Sequence, residues 1–370
     1  MRIDLQQIKT NFKGDYCFTH ARSAVCPNGR AIITTQPLLL KGSDVFFGMH
    51  NIISDDAGKS WGPIVPSKTI TRRQWGDGFQ QVMCDATPFY HKASKSLLLL
   101  GHDAIYKDNK VLPNRPRHIL WSVFDDESQD WNPFRTIEMP EANGMYFSAG
   151  NGSGQTIEEA DGTLLIPFYF TKESGLMCSS VMRCSFENRE MNVLEIGNAL
   201  QSPIPRGLYE PSIVKYGSSY FLALRNDQFG CVAKSTDGLN FSPAVHLVFE
   251  DGKEIGNYNT QQHWLTCDGR LFLAYTRRGA NNDHVFRHRA PIFIAEFDPE
   301  RMCLLSETEQ IAVPERGARL GNFGCVSFQD GTAWVIASEW MQTLPPDPYN
   351  WKICAQYGSD NSIFIAKIFP

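Results

Sequence analysis

Residues Ser54-Asp55-Asp56-Ala57-Gly58-Lys59-Ser60-Trp61 constrain this chain more than any other stretch, because they fit Ser-x-Asp-x-Gly-x-Ser/Thr-Trp at every fixed position. The pattern describes a hairpin tip. Asp56 can accept hydrogen bonds from turn amides, Gly58 supplies a positive φ, and Trp61 is expected to fold back as an apolar plug against its own sheet. Further hairpin signals are Asn28-Gly29, Asp161-Gly162, Asp268-Gly269 and Asp330-Gly331, each beside a strand-like run. Strands are expected over residues 31–35, 45–53, 96–101, 119–125, 163–170, 219–225, 270–276, 291–297, 332–338 and 362–368. No segment sustains a capped 3.6-residue period, so helices should be short and few.

The turn has a degenerate copy at Ser235-Thr236-Asp237-Gly238-Leu239-Asn240-Phe241, one residue shorter and closed by Phe. A weaker third version at 125–131 ends on Trp131. The two clearer turns lie three modules of about 60 residues apart, near the length of known propeller repeats. Six such modules fill the 370 residues, and 29 Gly, 21 Pro and 12% aromatic residues suit short strands and turns. The expectation is an all-β chain, one domain over 1–370, folded as a six-bladed β-propeller with a central funnel.

A net charge of −5 argues against a nucleic-acid surface but allows an anionic small ligand where basic residues gather. The ten cysteines include no Cys-x-x-Cys pair, so they read as buried free thiols and not as a zinc ribbon or disulfide framework. His284 and His288 gain no Cys or carboxylate to complete a ligand set, and neither a metal nor a cofactor is expected. No run of about 18 apolar residues points to a membrane segment. The first twelve residues lack the marks of a signal peptide. A native start implies a cytoplasmic protein; a trimmed leader would leave an exported or periplasmic one open.

The eight-residue pattern is the Asp-box, and the order of motifs along nearly the whole chain resembles the sialidase superfamily of BNR-repeat propellers. Gly150-Asn151-Gly152-Ser153-Gly154-Gln155 followed by residues 161–167 is similar to a glycine-rich turn leading into a Gly-x-Leu-x-x-Pro strand. Tyr209-Glu210-Pro211-Ser212, then Leu224-Arg225, then the box at Ser235, resembles the blade with a Glu-Pro pair and an active-site arginine. Gly321-Asn322-Phe323-Gly324-Cys325 through Ser338-Glu339 is similar to the last blade. The resemblance implies that Glu210 sits at the funnel floor, Arg225 contacts a substrate carboxylate, and Glu339 anchors an arginine. Three departures accompany it. The Arg-Ile-Pro signature is replaced by Phe18-Thr19-His20-Ala21-Arg22, the catalytic tyrosine by Asn322-Phe323, and the general-acid loop by Thr35-Gln36-Pro37, with Asp44 the nearest carboxylate downstream.

Between 257 and 289 lies a dense polar cluster. Gln261, Gln262, His263 and Trp264 can read sugar hydroxyls and stack on a pyranose, while Arg278, Arg287, His288 and Arg289 can hold an anion. Strand alternation sends either His288 or the two arginines to one face. The expected anion contacts are thus Arg22, Arg225, Arg278 and Arg287 or Arg289. Glu210 is the leading catalytic carboxylate, and His20, His102 and His263 are candidates for proton transfer. Hydrolysis of a glycan ending in an acidic or decorated sugar is favoured by the resemblance. Elimination from a uronic acid, with a His or Tyr base such as Tyr209 and an arginine such as Arg225, is the runner-up. A propeller that binds glycans without catalysis is the third reading.

Overall fold

The computed structural model describes residues 1–42, 44–112 and 115–370. It is all-β apart from the short helix Trp351–Gln356 and two 3-10 turns. Among the described residues the strands form six antiparallel sheets arranged around a central axis as in a propeller. In chain order the sheets begin with the innermost strands or segments at Tyr16–Val25, Gln80–His91, Ser148–Gly150, Tyr209–Tyr216, His263–Cys267 and Gly324–Ser327. Tyr16–Val25 packs on Gln80–His91, Tyr209–Tyr216 on His263–Cys267, and His263–Cys267 on Gly324–Ser327, which packs back on Tyr16–Val25; the third sheet joins the ring through Ser148–Gly150 on Ser96–Lys107 and Leu164–Thr171 on Tyr209–Tyr216. The last sheet is completed by Arg2–Ile8, which pairs antiparallel with Ile363–Phe369.

Strands covered on both faces should read as nearly unbroken apolar runs, and Ser96–Lys107 and Leu164–Thr171 do. Each pair of neighbouring sheets encloses its own apolar cluster. Ile32 meets Leu99 between the first and second, Trp121 meets Phe168 between the second and third, and Leu165 meets Leu222 between the third and fourth. Phe221 and Trp264, Phe272 and Val335, and Trp334 and Ile33 fill the remaining three gaps. Each such side chain contributes about 1.5–3 kcal/mol on burial, so the core is a ring of wedges and the axis itself stays free for polar groups.

The Asp-Gly and Asn-Gly hairpin signals at 28–29, 161–162, 268–269 and 330–331 all fall at turns between paired strands. At Asp268-Gly269 both residues have positive φ, as a type I′ hairpin requires. The turn at 54–61 is held by Ser54 Oγ, which accepts from Gly58 N at 2.8 Å and donates to Asp56 Oδ1 at 2.7 Å. Ser60 N donates to Asp56 Oδ1 at 2.9 Å. Ser235, Asp237 and Asn240 repeat this arrangement. Trp61 corrects the expectation of a plug against its own sheet: it packs on Trp334 of the last sheet and donates to Gln6 Oε1 at 3.1 Å. The turn therefore staples two sheets together. Residues 45–49, expected as strand, leave the sheet after a single bridge from Phe46 to Leu38, and the strand begins only at His50. This excursion carries Asp44 and Phe46 to the axis.

All ten cysteines are free, seven buried and three half-buried. No helix among the described residues is long and apolar enough to cross a membrane.

Candidate functional site

The six inner strands share a local irregularity that the sequence pattern does not announce. Each carries one non-glycine residue in the left-handed region at or just before its start on the axis: His20, Asp85, Ser153, Glu210, Asn259 and Asn322, with φ between 48° and 71°. At His20, Asp85 and Glu210 the ladder register breaks there, as a bulge demands. Asn, Asp, Ser and His tolerate this backbone; Glu210 adopts it only because the surrounding strands impose it. The bulges turn these side chains toward one another at one end of the axis.

They build a buried floor. Asp85 Oδ1 accepts from Ser153 Oγ at 2.9 Å, from Asn322 Nδ2 at 3.1 Å and from Arg22 at 3.3 Å. Arg22, fully buried, also donates to Ser153 Oγ at 2.9 Å and to the Phe323 carbonyl. Asn322 Nδ2 lies 3.0 Å from His20 Nε2. Burial alone would raise the Asp85 pKa, yet His20, Arg22, His102 and the Ser153 hydroxyl hold it well below the usual carboxylate range. Burial pushes His20 down to about 4 and His102 to about 3, so both imidazoles are neutral near pH 7 and Arg22 is the cation that balances Asp85.

Above the floor opens a cavity of about 240 Å³. Seven arginines line it (Arg115, Arg117, Arg206, Arg225, Arg287, Arg289 and Arg319) against three carboxylates, Asp44, Asp85 and Glu210. Arg225 donates to Glu210 Oε2 at 2.5 Å and to Asn259 Oδ1, and stacks on the Tyr209 ring at 4.4 Å. Arg289, buried, donates only to Asn322 Oδ1 and the Asn259 carbonyl. Arg319, also buried, lies flat on the Trp340 indole at 3.3 Å and leaves its Nε without a partner. Neither forms an ion pair with a carboxylate among the described residues. Burial pushes Arg319 down to about 9, with Arg287 adding to the push and Asp44 opposing it. Burial and then Arg225, Arg319 and Arg287 push Arg289 well below its ordinary value. A guanidinium stays charged in a protein, so these downward pressures register positive charge that an anion would relieve.

At the far end of the same strands lies a larger cavity of about 710 Å³, to which every inner strand contributes, among them Val25, Phe89, Ile157, Ile213, Thr266 and Val326. It is lined mainly by apolar side chains and holds none of the titrating groups above.

Of the residues singled out in the sequence, Glu210, His102, Arg225, Arg287 and Arg289 line the cavity. Arg287 and Arg289 share the cavity and His288 does not, one of the two expected outcomes, although the segment is a turn with φ of 57° at Arg287 and 52° at His288 and not a strand. The fold does not bring the others to the cavity wall. His20 and Arg22 are locked in the floor, and Tyr209 sits behind Arg225 with its hydroxyl on Asp227. His263, buried, meets Ser212 Oγ at 2.8 Å through Nδ1 and packs on Phe323, while burial holds its pKa near 3. Gln261 is buried beside Asn322 and Phe323, and Gln262 bonds Asn257 and the Leu224 carbonyl. Arg278 is exposed over the Tyr258 ring, and His288 bonds Tyr258 and Asp283. Glu339 does anchor an arginine, but it is Arg316, outside the cavity. Trp264, buried, donates to the Ser212 carbonyl and belongs to the lining of the larger, apolar cavity, not of the arginine-lined one. Lining residues absent from the sequence reading are Asp85, Arg115, Arg117, Tyr169, Arg206, Arg319 and Trp340; the Cys84-Asp85-Ala86-Thr87-Pro88 bulge parallels Tyr209-Glu210-Pro211-Ser212 and was the available signal.

Cys84, Asp85 and His102 offer donor atoms within 4.8 Å of one another. Asp85 is already neutralised by Arg22, burial keeps the Cys84 thiol protonated, and Arg117 adds positive charge at His102. The trio suits a proton network better than a cation.

Three buried histidines with lowered pKa values make stability pH-dependent. Below about pH 6.5 the unfolded chain binds protons that His20, His102 and His263 in the fold refuse, so stability falls as the pH is lowered from there toward about 4, by up to ~1.4 kcal/mol per pH unit per histidine. Urea unfolding at pH 7 and pH 5 checks this; equal midpoints contradict it.

No family model and no curated protein matches the chain. Solved structures do. A protein of unknown function from Dyadobacter fermentans superimposes with a TM-score of 0.66 at 14% identity, covering 99% of both chains. Trypanosoma rangeli sialidase gives 0.64 at 12% identity over 98% of this chain and 59% of its own. The fold is sialidase-like. A Hadza microbial sialidase gives 0.61 at 12% identity, covering 86% of this chain and 63% of that one. This sialidase-like chain thus spans about three-fifths of the length of those two enzymes.

Proposed function

We propose that this protein is a carbohydrate-active enzyme that takes the terminal acidic sugar of a glycan into the arginine-lined cavity and hydrolyses its glycosidic bond. In this reading the six sheets are six blades of one propeller, and the turn at 54–61 is an Asp-box. One observation carries it: Arg289 and Arg319 are buried cations that form no ion pair with a carboxylate among the described residues, facing a cavity of about 240 Å³ beside Arg225. Paired guanidinium forks are the best protein match for a planar carboxylate, and a closed cavity of this size suits a single terminal sugar. The Trypanosoma rangeli sialidase, with the same fold, has been solved with sialic acid bound.

Glu210, ion-paired with Arg225 on the cavity wall, is a carboxylate able to stabilise an oxocarbenium-like centre. Asp44 at the same wall is the group to protonate the departing oxygen, and Asn322, at the position the resemblance gives to a tyrosine, offers no nucleophile, so water is the attacking group. A second reading rests on Tyr169, whose hydroxyl lies 3.5 Å from His102 Nδ1. A neutral imidazole beside a phenol and Arg117 is the equipment for elimination from a uronic acid.

Incubation with glycans ending in sialic or uronic acids separates these readings. A released sugar with no new near-ultraviolet absorbance supports hydrolysis, and an unsaturated absorbing product transfers the assignment to the lyase. Binding of the glycans without turnover leaves a glycan-binding propeller.

A further inference from the structure

The seven arginines are not one cluster. Arg289 is surrounded by Arg225, Arg319 and Arg287, whereas the cationic neighbour of Arg115 is Arg117. Glu210 acts electrostatically on both Arg117 and Arg289. Arg115 and Arg117 each have a buried Nε with no hydrogen-bond partner. Neither forms an ion pair among the described residues. Arg117 lies over the Tyr169 ring at 5.2 Å, in a slot that Gly150 keeps open: a Cβ there would stand 2.7 Å from Arg117 Cδ and 3.1 Å from the Tyr169 ring. Asp103 is committed to His118 and Gln81, and Glu210 to Arg225, while Asp44 adds negative charge near Arg115.

We propose that Arg115 and Arg117, with the Tyr169 hydroxyl, form a second anion subsite, so that the cavity takes a sugar bearing two oxyanion groups: a carboxylate on Arg225, Arg289 and Arg319, and a sulfate ester or second carboxylate across the ring on Arg115 and Arg117. The inference rests on the proposed glycan function for the identity of the ligand but not for the existence of the subsite. Two guanidiniums that form no ion pair among the described residues, at the wall of a cavity, attract an oxyanion whatever carries it.

Inorganic selenate soaked into crystals of the full chain locates the subsites by anomalous scattering, and titration with inorganic sulfate at low ionic strength counts them. Two sites are expected, one at Arg289 and Arg319 and one at Arg115 and Arg117. Arg117→Gln should lose the second site and weaken sulfate binding there by about tenfold or more, the worth of one charge-assisted pair, while leaving the first intact. Arg115→Gln provides an independent variant, and unchanged thermal midpoints exclude misfolding. A single site in the wild type, or two sites persisting in both variants, overturns the proposal. With glycans, a doubly anionic substrate should be preferred by the wild type and the preference lost in Arg117→Gln; sulfated and dicarboxylate sugars tested in parallel identify the second group. Two selenates with no turnover of any glycan would reject the enzymatic reading and leave the subsite standing.

Discussion

Arg289→Gln lowers kcat/KM on an acidic glycoside by about 10²- to 10³-fold, the scale set by removing one preorganised donor from a water-poor site. The same substitution leaves the unfolding free energy unchanged or raises it. Both effects share one cause. Arg289 is buried, it is crowded by Arg225, Arg287 and Arg319, and it forms no ion pair with a carboxylate among the described residues, so removing its charge relieves repulsion while stripping the ligand of a contact. Arg289→Lys keeps the charge without the fork and should fall between the two. Steady-state kinetics and urea unfolding on the three proteins check the pattern. Loss of activity in parallel with loss of stability would mean that Arg289 holds the fold and not the substrate.

The floor behaves in the opposite way. Asp85→Ala destabilises the protein by about 3–5 kcal/mol, because it strands Arg22 as a buried charge with its counter-ion gone. Arg22→Met should cost a similar amount, and the double variant Arg22→Met with Asp85→Leu should recover much of it, a coupling that a double-mutant cycle reads directly. The pair also shapes acid unfolding. The Asp85 pKa is held below its unfolded value, so its contribution is complete above about pH 4 and declines as the pH falls below that, where the unfolded chain takes up the proton first. Additive single-variant losses would sink the assignment of Arg22 and Asp85 as one unit.

These two arginines show what a sequence can and cannot reveal. Arg22 and Arg289 both stood out as anion contacts, but only contacts far along the chain decide their fates: Asp85 and Ser153 claim the first, while Asn322 and Asn259 leave the second short of charge. Turns and strands were legible because Asp-Gly and Asn-Gly dipeptides fix local backbone geometry. Glu210 and Arg225 were legible because a recognisable motif order surrounds them. Arg117, Tyr169 and Arg319 were not, since Tyr169 reaches the cavity from a strand and Arg117 and Arg319 from segments between strands, and none sits in a local pattern that marks it. His263 and Trp264 misled for the same reason in reverse: a polar-aromatic run at a strand start reads as a surface for sugars, yet here it is the inner strand itself, turned into the core.

The pairing of Arg2–Ile8 with Ile363–Phe369 makes closure of the ring a contact between strands very far apart in sequence. Until the two meet, Arg2–Ile8 is an orphan edge that carries Ile3, Leu5 and Ile8. Arg2 and Asp4 place charges on that waiting edge, as natural sheets do to discourage pairing with strangers. Closure demands a long loop to be ordered first, and the interval before it is when the folding protein is most open to misassembly.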